Sequence, residues 1–221
     1  MNLAHFVSAA VVALAVASPA LAQPDTAPEP KTRAKPSRTE DVIYGRRDGL
    51  ALTLDVFAPT VKPNGAGVII CISGDFKSEK KYTDIARTWI FPEFLKNGYT
   101  VFAVQHSSQP RYTVPEIVED MHQAVRFIKA NARNYEVNPD KLGITGMSSG
   151  GHLSLMMGCA SRPGNPAATD PLERESSKVA AVACFFPVSN FQAYEANPPE
   201  GFEDLFPLRE LDTKAGKFVT M

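Results

Sequence analysis

Residues Gly143 to His152 read GITGMSSGGH, a serine pair bracketed by glycines. Within it, Gly146 to Gly150 satisfies G-x-S-x-G with Ser148 at the centre. A nucleophilic serine uses this spacing because it sits on a sharp strand-to-helix turn. Side chains larger than glycine at the flanks, Gly146 and Gly150, would collide there. The helix that starts after such a turn presents unpaired backbone N–H groups and the positive end of its dipole. The amide of Ser149, next after the nucleophile, is then placed to donate to a tetrahedral oxyanion. A serine hydroxyl also needs a general base. The histidines are His5, His106, His122 and His152, and none follows His152.

None of the four stands out as that base. His152 lies on the helix behind Ser148, while the turn throws the serine outward from the helix start, so a packed or hydrogen-bonded role is expected. His106 follows a strand and falls at the end of the sheet where a site would open, as a pocket-lining residue; Phe76 is a second candidate for pocket lining. His122 is expected on a helix among polar neighbours, and His5 in the leader. No cysteine or histidine spacing resembles a metal site, and acyl transfer through a serine hydroxyl needs no organic cofactor.

The elements that must position Ser148 are visible in the hydrophobic pattern. DVIYGRR and LALTLDVFAP flank Asp48-Gly49 and predict an antiparallel hairpin. GAGVIICIS is a continuous apolar run of strand length, the pattern of a strand buried on both faces. A helical stretch from Tyr82 to Lys96 ends at Asn97-Gly98 and is expected to kink or split at Pro92. YTVFAVQ is the next strand. The stretch VPEIVEDMHQAVRFIKANARN places Val118, Met121, Val125 and Ile128 on one helical face, with Pro115 and acidic residues at its start. DKLGITGM and VAAVACFFPV are further strands, with the helix SGGHLSLMMGCA between them. Strands alternating with amphipathic helices predict an α/β domain with a mainly parallel sheet covered on both faces, and ligands bound beyond the carboxyl ends of its strands.

In this order, YGRRDGLALTLDVFAP, SGDFKS, QPRYTVPEIVEDMHQAVRFIKANA and GITGMSSGGHLSL resemble the α/β-hydrolase superfamily, in its esterase/lipase branch with feruloyl- and acetyl-esterase-like members. The resemblance covers residues 41 to about 190. It implies a serine hydrolase that cleaves carboxylic esters through an acyl-enzyme on Ser148, with a small-molecule ester as substrate. It also implies that the loop SGDF, Ser73 to Phe76, supplies oxyanion donors from the amides of Gly74 and Asp75. Asp75 departs from the glycine of relatives, and a carboxylate beside a developing oxyanion opposes the reaction unless it points away or pairs with Lys77. Asp120 matches a helix aspartate that does structural work in relatives. The family's acid and base follow a seventh and an eighth strand; six strands are legible here, followed by a segment that reads as one or two short helices. The triad acid and base are therefore expected outside this chain, which is read as C-terminally truncated, with an unpaired far edge at its sixth strand. A non-catalytic α/β-hydrolase-like binding protein or remnant is the alternative.

The chain has 221 residues, 44% of them hydrophobic, and a formal net charge of -1, which gives no electrostatic pointer to nucleic acid. Residues 1–22 read as an export signal, an apolar alanine-rich run ending in Ala20-Leu21-Ala22, shorter than the roughly 20 apolar residues a spanning helix needs. A periplasmic or secreted protein without a stable membrane anchor is expected. Residues 23–40, rich in proline and charge, read as a flexible leader, and 41–221 as the folded domain. Cys71, Cys159 and Cys184 each lie in apolar stretches and read as buried small hydrophobes, with one disulfide left open.

Overall fold

A hairpin that turns on Asp48 and Gly49 starts the sheet. Both residues have positive φ, 47° and 83°, as a two-residue turn matched to strand twist requires. The structure, a computed structural model, describes residues 37–191 and the backbone of two later strands, at 209–212 and 217–220. β1 (Arg38–Arg47) and β2 (Leu50–Phe57) form the hairpin. β1 begins inside the stretch read as leader. Arg38 pairs with Phe57 across the ladder, and its guanidinium donates to the fully buried Asp55 at 2.7 Å, which draws the chain into the sheet this early.

β3 (Gly67–Ile72), β4 (Thr100–Gln105), β5 (Leu142–Met147) and β6 (Ala181–Phe185) complete a six-stranded sheet in the order β1-β2-β4-β3-β5-β6. β2 meets β4 antiparallel, and β4, β3, β5 and β6 are mutually parallel. The expected α/β sheet is therefore present, mainly parallel. α1 (Lys80–Trp89) and α2 (Phe91–Leu95) are the two halves of the helix read across Pro92, which sits in the first turn of α2. α3 (Val114–Ala130) opens on a capping box: the Thr113 hydroxyl accepts from the Glu116 amide, and the Glu116 carboxylate accepts from the Thr113 amide at 2.8 Å. α4 (Ser149–Cys159) follows β5 directly.

Side-chain alternation along the strands divides the core in two. Leu52, Leu54, Ile69, Phe102, Val104 and Ile144 pack with α3 and α4, whereas Phe57, Val68, Ile70, Val101 and Ala103 pack with α1 and α2. Among the described residues β6 pairs with β5 alone, and Val182, Phe185 and Phe186 are exposed. Strands β7 (Arg209–Asp212) and β8 (Lys217–Thr220) form a separate antiparallel pair. This corrects the reading of short helices over that stretch. KFVT holds two β-branched residues and an aromatic one, which fit a pleated strand, and RELD pairs with it. Residues 1–36, to which the export signal and most of the leader belong, lie outside the described residues.

The three cysteines are free. Cys71 is buried, as read, and burial pushes its thiol up to about 12. Cys159 is exposed and Cys184 half-buried, which corrects the reading of all three as core residues. Cys159 is the last residue of α4.

Candidate active site

The turn between β5 and α4 holds Ser148 at φ 52° and ψ -121°, a conformation that a non-glycine residue adopts only when its surroundings enforce it. Three close approaches do so. A Cβ built on Gly146 would lie 2.3 Å from the Gly150 carbonyl oxygen, one on Gly150 2.8 Å from the Cys71 carbonyl oxygen, and one on Gly151 2.8 Å from the Phe185 carbonyl oxygen. The chain can make this turn only because all three lack side chains. The Ser148 amide donates to the Phe185 carbonyl at 3.1 Å, which fixes the turn to the end of β6. Ser148 is half-buried, and Ser149 is the first residue of α4, so its amide has no acceptor within the helix.

A second loop comes to the same place from the end of β3. The Ser73 and Ser149 hydroxyls are 3.0 Å apart, joining the SGDF loop to the start of α4. The Gly74 amide, expected as an oxyanion donor, donates to the Lys77 carbonyl at 2.9 Å, and the Lys77 amide returns a bond to the Gly74 carbonyl at 2.8 Å. Asp75 and Phe76 follow at φ 53° and 56°. Their amides make no hydrogen bond among the described residues, so the loop offers Asp75 and Phe76 as its free donors. The amide of Phe76 was not singled out from the sequence; the only signal was its place one residue further along the same loop. The Asp75 side chain is exposed and forms no ion pair with Lys77. Phe76 is buried, edge-on to the His152 ring at a centroid distance of 5.6 Å.

The three described histidines are each engaged away from Ser148. His152 is buried, its Nδ1 is 2.7 Å from the Val188 carbonyl, and burial lowers its pKa. That is the structural role expected of it. His122 lies on α3 among polar neighbours, as read, and is buried: its Nδ1 is 2.9 Å from the Ser177 hydroxyl, which brings the 160–180 segment onto α3, and Arg162, Glu119 and Arg126 act on its charge. His106 is buried with Nδ1 on the Ser107 carbonyl, and it lines a cavity at the end of β4. Among the described residues no group of His, Cys, Asp or Glu could hold a metal ion, and no helix is long and apolar enough to cross a membrane.

Burial pushes both His106 and His122 down from an ordinary 6.5 to about 4, with the Arg162 cation adding to the effect at His122. The unfolded chain therefore takes up protons near 6.5 that the folded chain takes up only near 4. Their full contribution to stability is present above about 6.5 and falls away as the pH drops towards 4, by at most ~1.4 kcal/mol per pH unit for each histidine. Thermal unfolding followed between pH 7 and pH 4.5 should show a falling midpoint, and His122→Gln should flatten the slope. The same slope in wild type and variant would contradict this assignment.

Comparison with known proteins places this arrangement. A family model described as BD-FAE matches residues 54–205, more than half of the chain. The chain is 26% identical over 159 residues to "Esterase LipQ" of Mycobacterium tuberculosis, covering 69% of this chain and 36% of that protein. It is 33% identical over 94 residues to "Probable carboxylic ester hydrolase LipM" of the same organism, covering 42% of this chain and 21% of that protein. The chain thus spans about a third of the one relative and a fifth of the other. Among solved structures, an acetyl ester-xyloside bifunctional hydrolase from Caldicellulosiruptor lactoaceticus superposes with a TM-score of 0.62 at 18% identity, over 74% of this chain and 62% of that one. The likeness to that protein is one of fold, the α/β-hydrolase fold.

Proposed function

Since the chain belongs to the BD-FAE family, we propose that it is the nucleophile-bearing part of an exported serine hydrolase of carboxylic esters. The observation that carries this reading is Ser148 itself: a half-buried serine held at φ 52° between a buried strand and a helix N-terminus. Its hydroxyl attacks the ester carbonyl. The developing oxyanion accepts from the amides of Ser149, Asp75 and Phe76, all fixed before the substrate arrives. The C–O bond to the alcohol breaks, an acyl-enzyme forms on Ser148, and water releases the acid. The proton on Ser148 must pass to a base. The three described histidines hold other partners, so base and acid come from groups outside the described residues. Export rests on the apolar run at residues 1–22.

The test is turnover of a short-chain nitrophenyl ester by the chain and by Ser148→Ala. The variant should lose most of the turnover, keeping only what binding and the oxyanion donors supply without a nucleophile, with an unchanged unfolding midpoint. Equal turnover by variant and wild type overturns the assignment. The engagement of His106, His122 and His152 elsewhere favours a second reading, a non-catalytic protein that binds esters or their products. A folded chain with no turnover and saturable ligand binding would select it.

A further inference from the structure

The amides that face the Ser148 turn come from two segments, and the sheet anchors each to a different neighbour. The Asp75 and Phe76 amides ride on the loop after β3. β3 stays paired with β4 as far as Ile72 and Gln105. Beyond that the Phe76 carbonyl accepts from the Gln109 amide at 3.1 Å, and the Ser108 hydroxyl accepts from the Ser78 amide at 2.9 Å. The Ser149 amide belongs to the other segment. β5 stays paired with β6 as far as Met147 and Phe185, and the Ser148 amide continues onto the Phe185 carbonyl at 3.1 Å. The ladder between β3 and β5 themselves stops earlier, at Ile70 and Thr145. Both donor sets therefore lie past the last rung that joins their strands.

Past that rung, two hydrogen bonds cross between the segments among the described residues. The Cys71 thiol meets the Ser154 hydroxyl at 3.3 Å, a weak thiol contact in the second turn of α4. The other is the 3.0 Å bond between the Ser73 and Ser149 hydroxyls. It reaches the donors themselves: Ser149 carries one of them on its own backbone, and Ser73 stands two residues before Asp75. Ser149 is buried, and Ser73 is the partner of its hydroxyl among the described residues. The edge-on contact of the Phe76 and His152 rings adds packing across the gap without a hydrogen bond. Donors stabilise a developing oxyanion to the extent that they are fixed before the charge appears.

We propose that Ser73 and Ser149 are positioning residues for the oxyanion hole. Their hydroxyl–hydroxyl bond sets the spacing between the Ser149 amide and the Asp75 and Phe76 amides, so that both donor sets aim at one oxygen. The inference deepens the esterase reading and rests on it. Ser73→Ala, Ser149→Ala and the double variant are compared with the wild-type chain. The readouts are kcat and KM for a short-chain nitrophenyl ester, the rate of phosphonylation by a fluorophosphonate, and the unfolding midpoint. Alanine at 149 keeps the backbone amide and removes only the hydroxyl. Ser73→Ala breaks the same bond from the other side, so either variant reads it if the other fails to fold. Each single variant should lose about tenfold to a hundredfold in kcat and in phosphonylation rate, less than the roughly 10²–10³ that removing a donor costs. KM should hold, because the charge that the donors meet exists only in the transition state. The double variant should be no slower than the slower single one, because one bond cannot be broken twice. Wild-type kcat in the folded single variants, a loss that falls on KM instead, or losses that multiply in the double variant overturn the proposal and leave the esterase reading standing. Failure of both single variants to fold would make the bond a structural tie and overturn it as well. A wild-type chain that neither turns over the ester nor takes the phosphonyl group removes the esterase reading, and this inference with it.

Discussion

Asp120→Ala is expected to lower the unfolding free energy by about 3–5 kcal/mol. Asp120 is fully buried on α3. One carboxylate oxygen accepts from Arg47 Nε at 2.8 Å, at the end of β1, and the other accepts from the Ser107 amide at 2.9 Å and from the Ser107 hydroxyl. One side chain thus joins the hairpin, the long helix and the loop behind β4. Alanine would strand the buried Ser107 amide and leave Arg47, itself largely covered, without its partner. Asn, which keeps an acceptor but loses the charge, should cost less. Denaturant unfolding of the two variants measures both, and a loss below about 1 kcal/mol for Asp120→Ala would contradict the tie.

Gly146→Ala should cost as much in stability and more in chemistry. The added methyl would meet the carbonyl carbon and oxygen of Gly150 at 2.5 and 2.3 Å, and both belong to the backbone of the first turn of α4. A flexible side chain could swing aside, but this turn can only shift, carrying the Ser148 hydroxyl and the Ser149 amide with it. Overpacking of this kind costs about 1–3 kcal/mol in an ordinary core and more where backbone must move. Displacement by an ångström is enough to lose about two orders of magnitude in rate. Gly143→Ala is the matched control on the same strand, because its methyl would meet nothing closer than the Ala181 carbonyl oxygen at 3.8 Å. Turnover and unfolding midpoint should be near wild type for Gly143→Ala and both severely reduced for Gly146→Ala. Equal behaviour of the two would mean that the glycine spacing around Ser148 does not position it.

The sequence made legible whatever follows from periodicity and from steric exclusion at particular residues. The apolar run of β3 carries the pattern of a strand buried on both faces, Asp48-Gly49 marks the hairpin turn, and Pro92 predicts a kink or split in its helix. Ser148 was legible because glycine is demanded on both sides of it for a reason of space. What escaped depends on pairings that no period encodes. The bond between the Gly74 amide and Lys77 follows from two successive positive φ values at Asp75 and Phe76, residues with no strong preference for that conformation. The burial of His122 depends on Ser177, 55 positions away, and the exposure of Cys159 on where α4 ends. Likewise β1 starts at Arg38 because Asp55 is buried opposite it, a partner invisible in a proline- and charge-rich stretch.

The central claim, that Ser148 is the nucleophile, is tested most directly by treating the folded chain with a fluorophosphonate and mapping the adduct by peptide mass spectrometry. The account predicts one phosphonyl group, on the peptide carrying Ser148, and none on Ser148→Ala. A folded chain that stays unmodified, or carries the group on another residue while Ser148 remains free, would contradict it.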